Sequence, residues 1–125
     1  MTASIRRLPD AELEVMQALW QVGEYPAHTG DIAAMLQKEW KAPTLLKLLS
    51  RLEERGFVRA EKDGRANVYT PLVAREDYLR TESRSFFKRL HGGSLTSLVA
   101  ALDPDTRLTQ EDVAKLEAIL NGGGD

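Results

Sequence analysis

Within "APTLLKLLSRLEERGF", Thr44, Lys47, Arg51 and Glu54 recur at i, i+3, i+7 and i+10. On a helix that spacing gathers them on one side. Leu46 and Ser50 accompany them, and Lys41 stands just before the segment. A few residues on, "VRAEKDGRANVYTP" places Lys62 and Arg65 around Asp63-Gly64. The chemistry these side chains can do is recognition. Lys and Arg donate to phosphate oxygens or guanine edges, Thr and Ser reach bases or phosphates, and an apolar Leu46 can meet a thymine methyl. Lys41, near the positive end of a helix that Pro43 opens, stands where a phosphate oxygen is welcome. The plainer alternative is a solvated polar face followed by a solubilising turn. What favours recognition is context: a helix second in a tight pair, followed by a hairpin, is the element that docks in a major groove.

Bond-making chemistry finds no comparable set. The chain has no Gly-rich phosphate loop, no nucleophile elbow and no paired carboxylates that periodicity brings to one face. With no cysteine there is no disulfide, thiol nucleophile or thiolate site, which is compatible with the cytoplasm. His28 and His91 lie far apart without a carboxylate cluster, a poor metal site. An enzyme is not expected, and neither a cofactor nor a metal is expected.

The formal charge of −2 averages over unlike regions. Residues 38–65 carry eight basic side chains (Lys38, Lys41, Lys47, Arg51, Arg55, Arg59, Lys62, Arg65) against five acids, a local +3. From Asp103 onward six acids face Arg107 and Lys115, a local −4. A phosphate backbone responds to the local patch. The 125 residues suffice for one main core, and no apolar run approaches the roughly 20 residues a membrane helix needs.

The elements that must position these residues follow from periodicity. "LPDAELEVMQALW" reads as a helix with Pro9 at its first position, acids in its first turn, and Leu13, Met16 and Leu19/Trp20 as its buried stripe. "AHTGDIAAMLQKEW" reads as a second helix, capped by Thr29 or Asp31, with Ile32, Ala33, Leu36 and Trp40 on one side. Lys41-Ala42 is then a very short connection to the third helix. There Leu45, Leu48, Leu49 and Leu52 form the core stripe and Gly56 the stop. "FVRAEK" and "ANVYTP" are two strands about an Asp-Gly turn. Trp20 and Trp40 fall on apolar stripes, so both are expected in the core. Beyond Ala74, "AREDYLRTESRSFFKRL", "SLTSLVAAL" and a Thr109-capped final helix carry more large apolar side chains than three loosely joined helices can bury. A second copy of the chain is the economical cover. The expected interface is Leu79, Phe86, Phe87, Leu90, Leu95, Leu98, Val99, Leu102, Leu116 and Leu120.

The fold class expected is therefore mainly α with a small β-hairpin wing. A winged helix-turn-helix DNA-binding domain would span 1–72, a helical dimerisation domain 73–121, and a flexible tail 122–125. DNA contacts would come from Lys41, Thr44, Leu46, Lys47, Ser50, Arg51, Lys62 and Arg65.

At this point the sequence resembles the penicillinase-repressor family of winged-helix transcription factors. The resemblance rests on "LPDAELEVMQALW", "PTLLKLLSRLEERGFV", "DGRANVYTPLV", "FFKRLHGGSLTSLV" and "LTQEDVAKLEAIL", co-linear from about residue 8 to 120. It implies a cytoplasmic homodimer that binds a palindromic double-stranded operator and blocks transcription. By position, Thr44 matches a recognition-helix Thr, Arg51-Leu52 an Arg-Leu pair closing the helix's core contacts, and Arg65 the wing Arg. The resemblance also brings in a membrane sensor-protease acting on the C-terminal domain as a partner. Where β-lactam-responsive members are cleaved at an Asn-Phe bond, however, this chain has Ala101-Leu102. Lys47 replaces a second Thr and Leu46 a polar or basic residue, so the family's operator sequence does not carry over. Two alternatives stand beside this reading: a ligand-sensing winged-helix regulator, and a winged-helix protein-interaction module without DNA binding.

Overall fold

The computed structural model describes residues 5–102 and 109–122. The chain divides into two compact units, Met1–Arg80 and Thr81–Asp125. The first contains α1 (Asp10–Val22), β1 (Ala27–His28), α2 (Thr29–Met35), α3 (Ala42–Glu54), β2 (Val58–Asp63) and β3 (Ala66–Pro71). It ends within α4 (Arg75–His91), and the second unit holds the rest of α4 with α5 (Leu95–Leu102) and α6 (Gln110–Gly122).

Helix α1 begins one residue later than the sequence suggests. Pro9 is its N-cap, extended at φ −57° and ψ 153°, and its carbonyl accepts the first helical bond from the Leu13 amide at 2.9 Å. The fixed φ of proline suits both positions, so composition alone could not separate them. Val15, Met16, Ala18 and Leu19 point inward, with Leu13 and Trp20 at the margin. Gly23, at φ 77°, takes the left-handed conformation that ends the helix.

Helix α2 is shorter than expected. It stops at Met35, and Leu36 is extended at ψ 139°. Only Ile32 is fully buried from this helix; Ala33 is exposed, and Leu36 and Trp40 reach the core from a non-helical stretch. The connection to α3 is therefore residues 36–41, not Lys41-Ala42. The N-cap is His28, not Thr29. Asp31 supplies one half of a capping box by accepting the His28 amide at 3.0 Å.

Helix α3 follows its leucines closely. Leu45, Leu48, Leu49 and Leu52 are all buried, and Pro43 lies in the first turn. Its end is a Schellman motif: the Phe57 amide donates to the Leu52 carbonyl at 2.9 Å and Gly56 to Glu53 at 3.0 Å. Gly56 has φ 81°, a region where a side chain is strained. The turn sends Phe57 and Val58 into the core as β2 begins.

Strands β2 and β3 pair antiparallel from Val58↔Pro71 to Asp63↔Ala66, leaving Gly64-Arg65 as a two-residue turn. Gly64 has φ 65° and Arg65 a negative φ, the pattern of a type II′ hairpin. The turn thus lies one residue beyond the Asp63-Gly64 expected. A further strand, β1, pairs Ala27↔Tyr69 and His28↔Val68, which makes the sheet order β1-β3-β2.

Tyr78 belongs to the first unit, although its sequence neighbours suggested the second half. Its ring is tilted against Trp20 and edge-on to Phe57, both at 5.8 Å, and its hydroxyl accepts the Leu8 amide at 2.9 Å. Trp20 Nε1 donates to the Val73 carbonyl at 3.0 Å. Both tryptophans pack against the core, Trp20 from α1 as its stripe implied and Trp40 from the non-helical stretch after α2.

In the second unit α5 packs against α6. Thr109 caps α6: the Asp112 amide donates to its hydroxyl at 3.0 Å, and Asp112 accepts the Thr109 amide. The expected stop at Asp103-Pro104 and the end of the tail, residues 123–125, lie outside the described residues, as does the side chain of Leu120.

Candidate nucleic-acid interface

With its leucines turned inward, α3 exposes Thr44, Leu46, Lys47, Ser50 and Arg51 together. At 100° per residue, Lys47 and Ser50 lie near the middle of the outward face, Thr44 and Arg51 on one flank and Leu46 on the other. Leu46 is 39% exposed, the one large apolar side chain of that face open to solvent. Lys41 is the N-cap residue, extended at φ −65° and ψ 148°, and no side chain caps the helix. Pro43 has no N–H and the Thr44 amide donates to the Lys41 carbonyl at 3.0 Å, so what this helix start offers an anion is the Ala42 amide with a cation beside it. The exposed acids of α3, Glu53 and Glu54, lie in its last turn. Thr44, Lys47 and Ser50 lie in the turns before, and Arg51 shares the last turn with these acids.

Lys62 and Arg65 are exposed at the hairpin end, Arg65 inside the turn itself. The Schellman turn at Gly56 links this wing directly to α3. The fold therefore carries all eight candidate residues on the exposed surface of two consecutive elements of one unit.

The ion pairs sort the basic residues further. Lys38 is held by Glu14 at 3.3 Å, Arg55 by Glu12 at 2.6 Å, and Arg59 by Glu61 at 2.9 Å. Among the described residues Lys41, Lys47, Arg51, Lys62 and Arg65 make no ion pair. Three of the eight cations in residues 38–65 are thus committed within the chain, and the remaining five are those among the candidate contact residues.

Glu12 and Arg55 were not singled out in the sequence. Glu12 looked like a dipole-favoured acid in a first turn, yet its side chain is 2% exposed and accepts from Arg55 Nε. This pair ties the C-terminal end of α3 to α1. A helical-wheel count that places Glu12 beside Val15, Met16 and Leu19 was the available signal.

The expected dimer residues are placed as follows. Phe86, Leu90, Leu102 and Leu116 are exposed, Leu90 at 65% and Leu102 at 76%. Phe87, Leu98 and Val99 are half-buried. Leu79 is exposed but lies on the first-unit side of the division. Leu95 is 6% exposed in the single chain and so has little surface left to offer a partner. Ile119, 64% exposed on α6, was not among the expected residues.

The penicillinase repressor family matches residues 8–122. The penicillinase repressor of Bacillus licheniformis is 34% identical over 118 residues, 93% of this chain and 91% of that one. The methicillin resistance regulatory protein MecI of Staphylococcus aureus (strain N315) is 30% identical over 114 residues, 91% of this chain and 93% of its own length. A solution structure of monomeric Bacillus licheniformis BlaI with the blaP half-operator shares 34% identity, covers 60% of this chain and 92% of that one, and has a TM-score of 0.48. A family match across nearly the whole length, with relatives 34% and 30% identical that are covered to 91% and 93% of their own lengths, leaves one assignment: the chain belongs to the penicillinase repressor family.

Proposed function

We propose that the protein is a cytoplasmic, homodimeric transcriptional repressor that binds a palindromic DNA operator through α3 and the hairpin wing. The observation that carries this reading is the segregation of cations. Five basic side chains without an ion-pair partner among the described residues, Lys41, Lys47, Arg51, Lys62 and Arg65, sit at the start of α3, along it and at the wing tip, and the other three of that segment are paired with Glu14, Glu12 and Glu61. Phosphate contacts by Lys41, Arg51, Lys62 and Arg65 would set affinity and its salt dependence. Thr44, Leu46, Lys47 and Ser50 would read base edges, at about 1–3 kcal/mol for each good bidentate pair. With Leu46 and Lys47 at these positions, the operator read would differ from that of relatives bearing polar residues there.

The apolar side chains left open on α4, α5 and α6, chiefly Phe86, Leu90, Leu102, Leu116 and Ile119, would be covered by a second copy. Two-fold symmetry then requires two half-sites about one helical turn apart or a multiple of that. For release from DNA by a membrane sensor-protease acting on the C-terminal domain, the matching position, the exposed Ala101-Leu102 at the end of α5, does not support cleavage. That bond differs in both side chains from Asn-Phe.

The test is fluorescence anisotropy with the protein's own promoter and a random duplex of equal length, across several salt concentrations. The reading expects tighter binding to the promoter and a log–log salt slope of about −0.9 per neutralised phosphate. Equal affinity for both duplexes at every salt concentration would sink it.

A further inference from the structure

The outer face of the wing sheet carries a contact that the recognition surface does not explain. His28, Val68 and Glu61 stand opposite one another across β1, β3 and β2. Directly opposed residues project from the same face. Ala27, Tyr69 and Ala60 form the next rung and face the core. Val68 is 5% exposed yet lies outside the contiguous core cluster, so it is covered on the outer face. On that face His28 Nε2 reaches across the middle strand to Asp63 Oδ2 at 3.2 Å.

The imidazole is held at its other end. Asp31 accepts the His28 amide, and the same carboxylate oxygen lies 3.7 Å from Nδ1. The start of α2 therefore aims the ring towards the wing. Strand β1 pairs only with Val68 and Tyr69, so the hairpin beyond Asn67 has its own ladder and nothing alongside. Among the described residues, the His28–Asp63 contact is the one hydrogen bond or ion pair that joins 62–66 to an element outside the hairpin.

We propose that His28 is a positioning residue for the wing: it anchors Asp63 and keeps that carboxylate away from the phosphate-facing Lys62 and Arg65. This rests on the DNA-binding reading above. Asp63 immediately precedes the turn that carries Arg65. Released, it would let the tip fray. It would also place a negative charge where phosphate approaches and compete for the two cations. The anchored carboxylate does neither.

Both partners are largely exposed, so the effect is modest and best read at low salt. His28→Ala is expected to weaken promoter binding about two- to fivefold. Amide exchange at 64–66 in the free protein should speed up by a similar factor. His28→Gln, which retains a donor, should recover part of both. In the double variant His28→Ala/Asp63→Ala binding should be no weaker than in His28→Ala alone, because the carboxylate that misbehaves is gone.

Unchanged exchange at the tip would overturn the proposal. So would faster exchange with unchanged affinity, or losses that multiply in the double variant. If wild type binds its promoter no better than random duplex, the repressor reading fails instead. The exchange comparison, made without DNA, still decides whether His28 holds the tip.

Discussion

Replacing Arg55 by Met should destabilise the first unit far more than replacing Glu12 by Gln, although both break the same 2.6 Å contact. The asymmetry comes from burial. The Glu12 side chain is 2% exposed and that of Arg55 is 40% exposed. Without Arg55, a carboxylate stays in the core without its cation, and breaking a buried pair in this way costs about 3–5 kcal/mol. Water reaches the outer edge of the pair through Arg55, so the lower end, about 3 kcal/mol, is expected. Without the Glu12 charge, the guanidinium swings into solvent, and the loss is that of a charged hydrogen bond, about 1.5 kcal/mol. Against a total of about 5–15 kcal/mol, the difference is easily measured. Urea denaturation followed by far-ultraviolet circular dichroism, at one fixed protein concentration, gives both values. The double variant Glu12→Met/Arg55→Met should regain most of the Arg55 loss, since an apolar pair replaces a desolvated charge. Equal losses for the two single variants, or a double variant as unstable as Arg55→Met, would refute the argument.

Three further outcomes are expected. Arg65→Ala and Lys62→Ala should weaken promoter and random DNA alike and reduce the salt slope by about 0.9 for each lost phosphate contact, whereas Leu46→Ala should alter base preference at one position and leave the slope intact; anisotropy on a panel of single-base operator variants separates the two. Leu90→Asp with Ile119→Asp should shift sedimentation equilibrium from dimer to monomer while the helical signal of the first unit survives. Burial raises the pKa of Tyr69, against the hydroxyl contacts with Asn67 and Thr29 and with the help of the Glu53 carboxylate. Its stabilising contribution is therefore complete below about pH 10 and is lost as pH rises through the raised folded value. Urea midpoints measured from pH 8 to 11 should fall less steeply for Tyr69→Phe than for wild type.

The sequence made α3 legible because two signals agreed there: leucines at 45, 48, 49 and 52 marked the buried side, and Gly56 marked the end. The hairpin was legible for a similar reason, with β-prone runs on both sides of a turn signal. Strand β1 was not, since two residues, Ala27 and His28, are too few to show a period. The end of α2 was misplaced because Leu36 and Trp40 continue the apolar spacing of a helix that the backbone has already left. Apolar residues in a connection can enter a core as readily as those on a helix, and spacing cannot tell them apart. For the recognition surface the residue types were readable one by one. Which cations remained free depended on Glu12, Glu14 and Glu61, and those partners come together only through the fold. Tyr78 shows the same limit: nothing local in "REDYLR" reveals that its hydroxyl closes on Leu8.

That closure bears on how the protein is made. The bond between the Leu8 amide and the Tyr78 hydroxyl spans 70 positions. It cannot form until residue 78 has left the ribosome, and at roughly 5–20 residues per second α1, α2 and α3 wait several seconds for it. During that interval Trp20 and Phe57 lack the ring that packs between them. A truncated chain ending at residue 72 would remain in that condition permanently. The shortest self-sufficient version of the first unit therefore runs through the opening turns of α4, and a nascent chain released before that point is the form most exposed to aggregation and proteolysis.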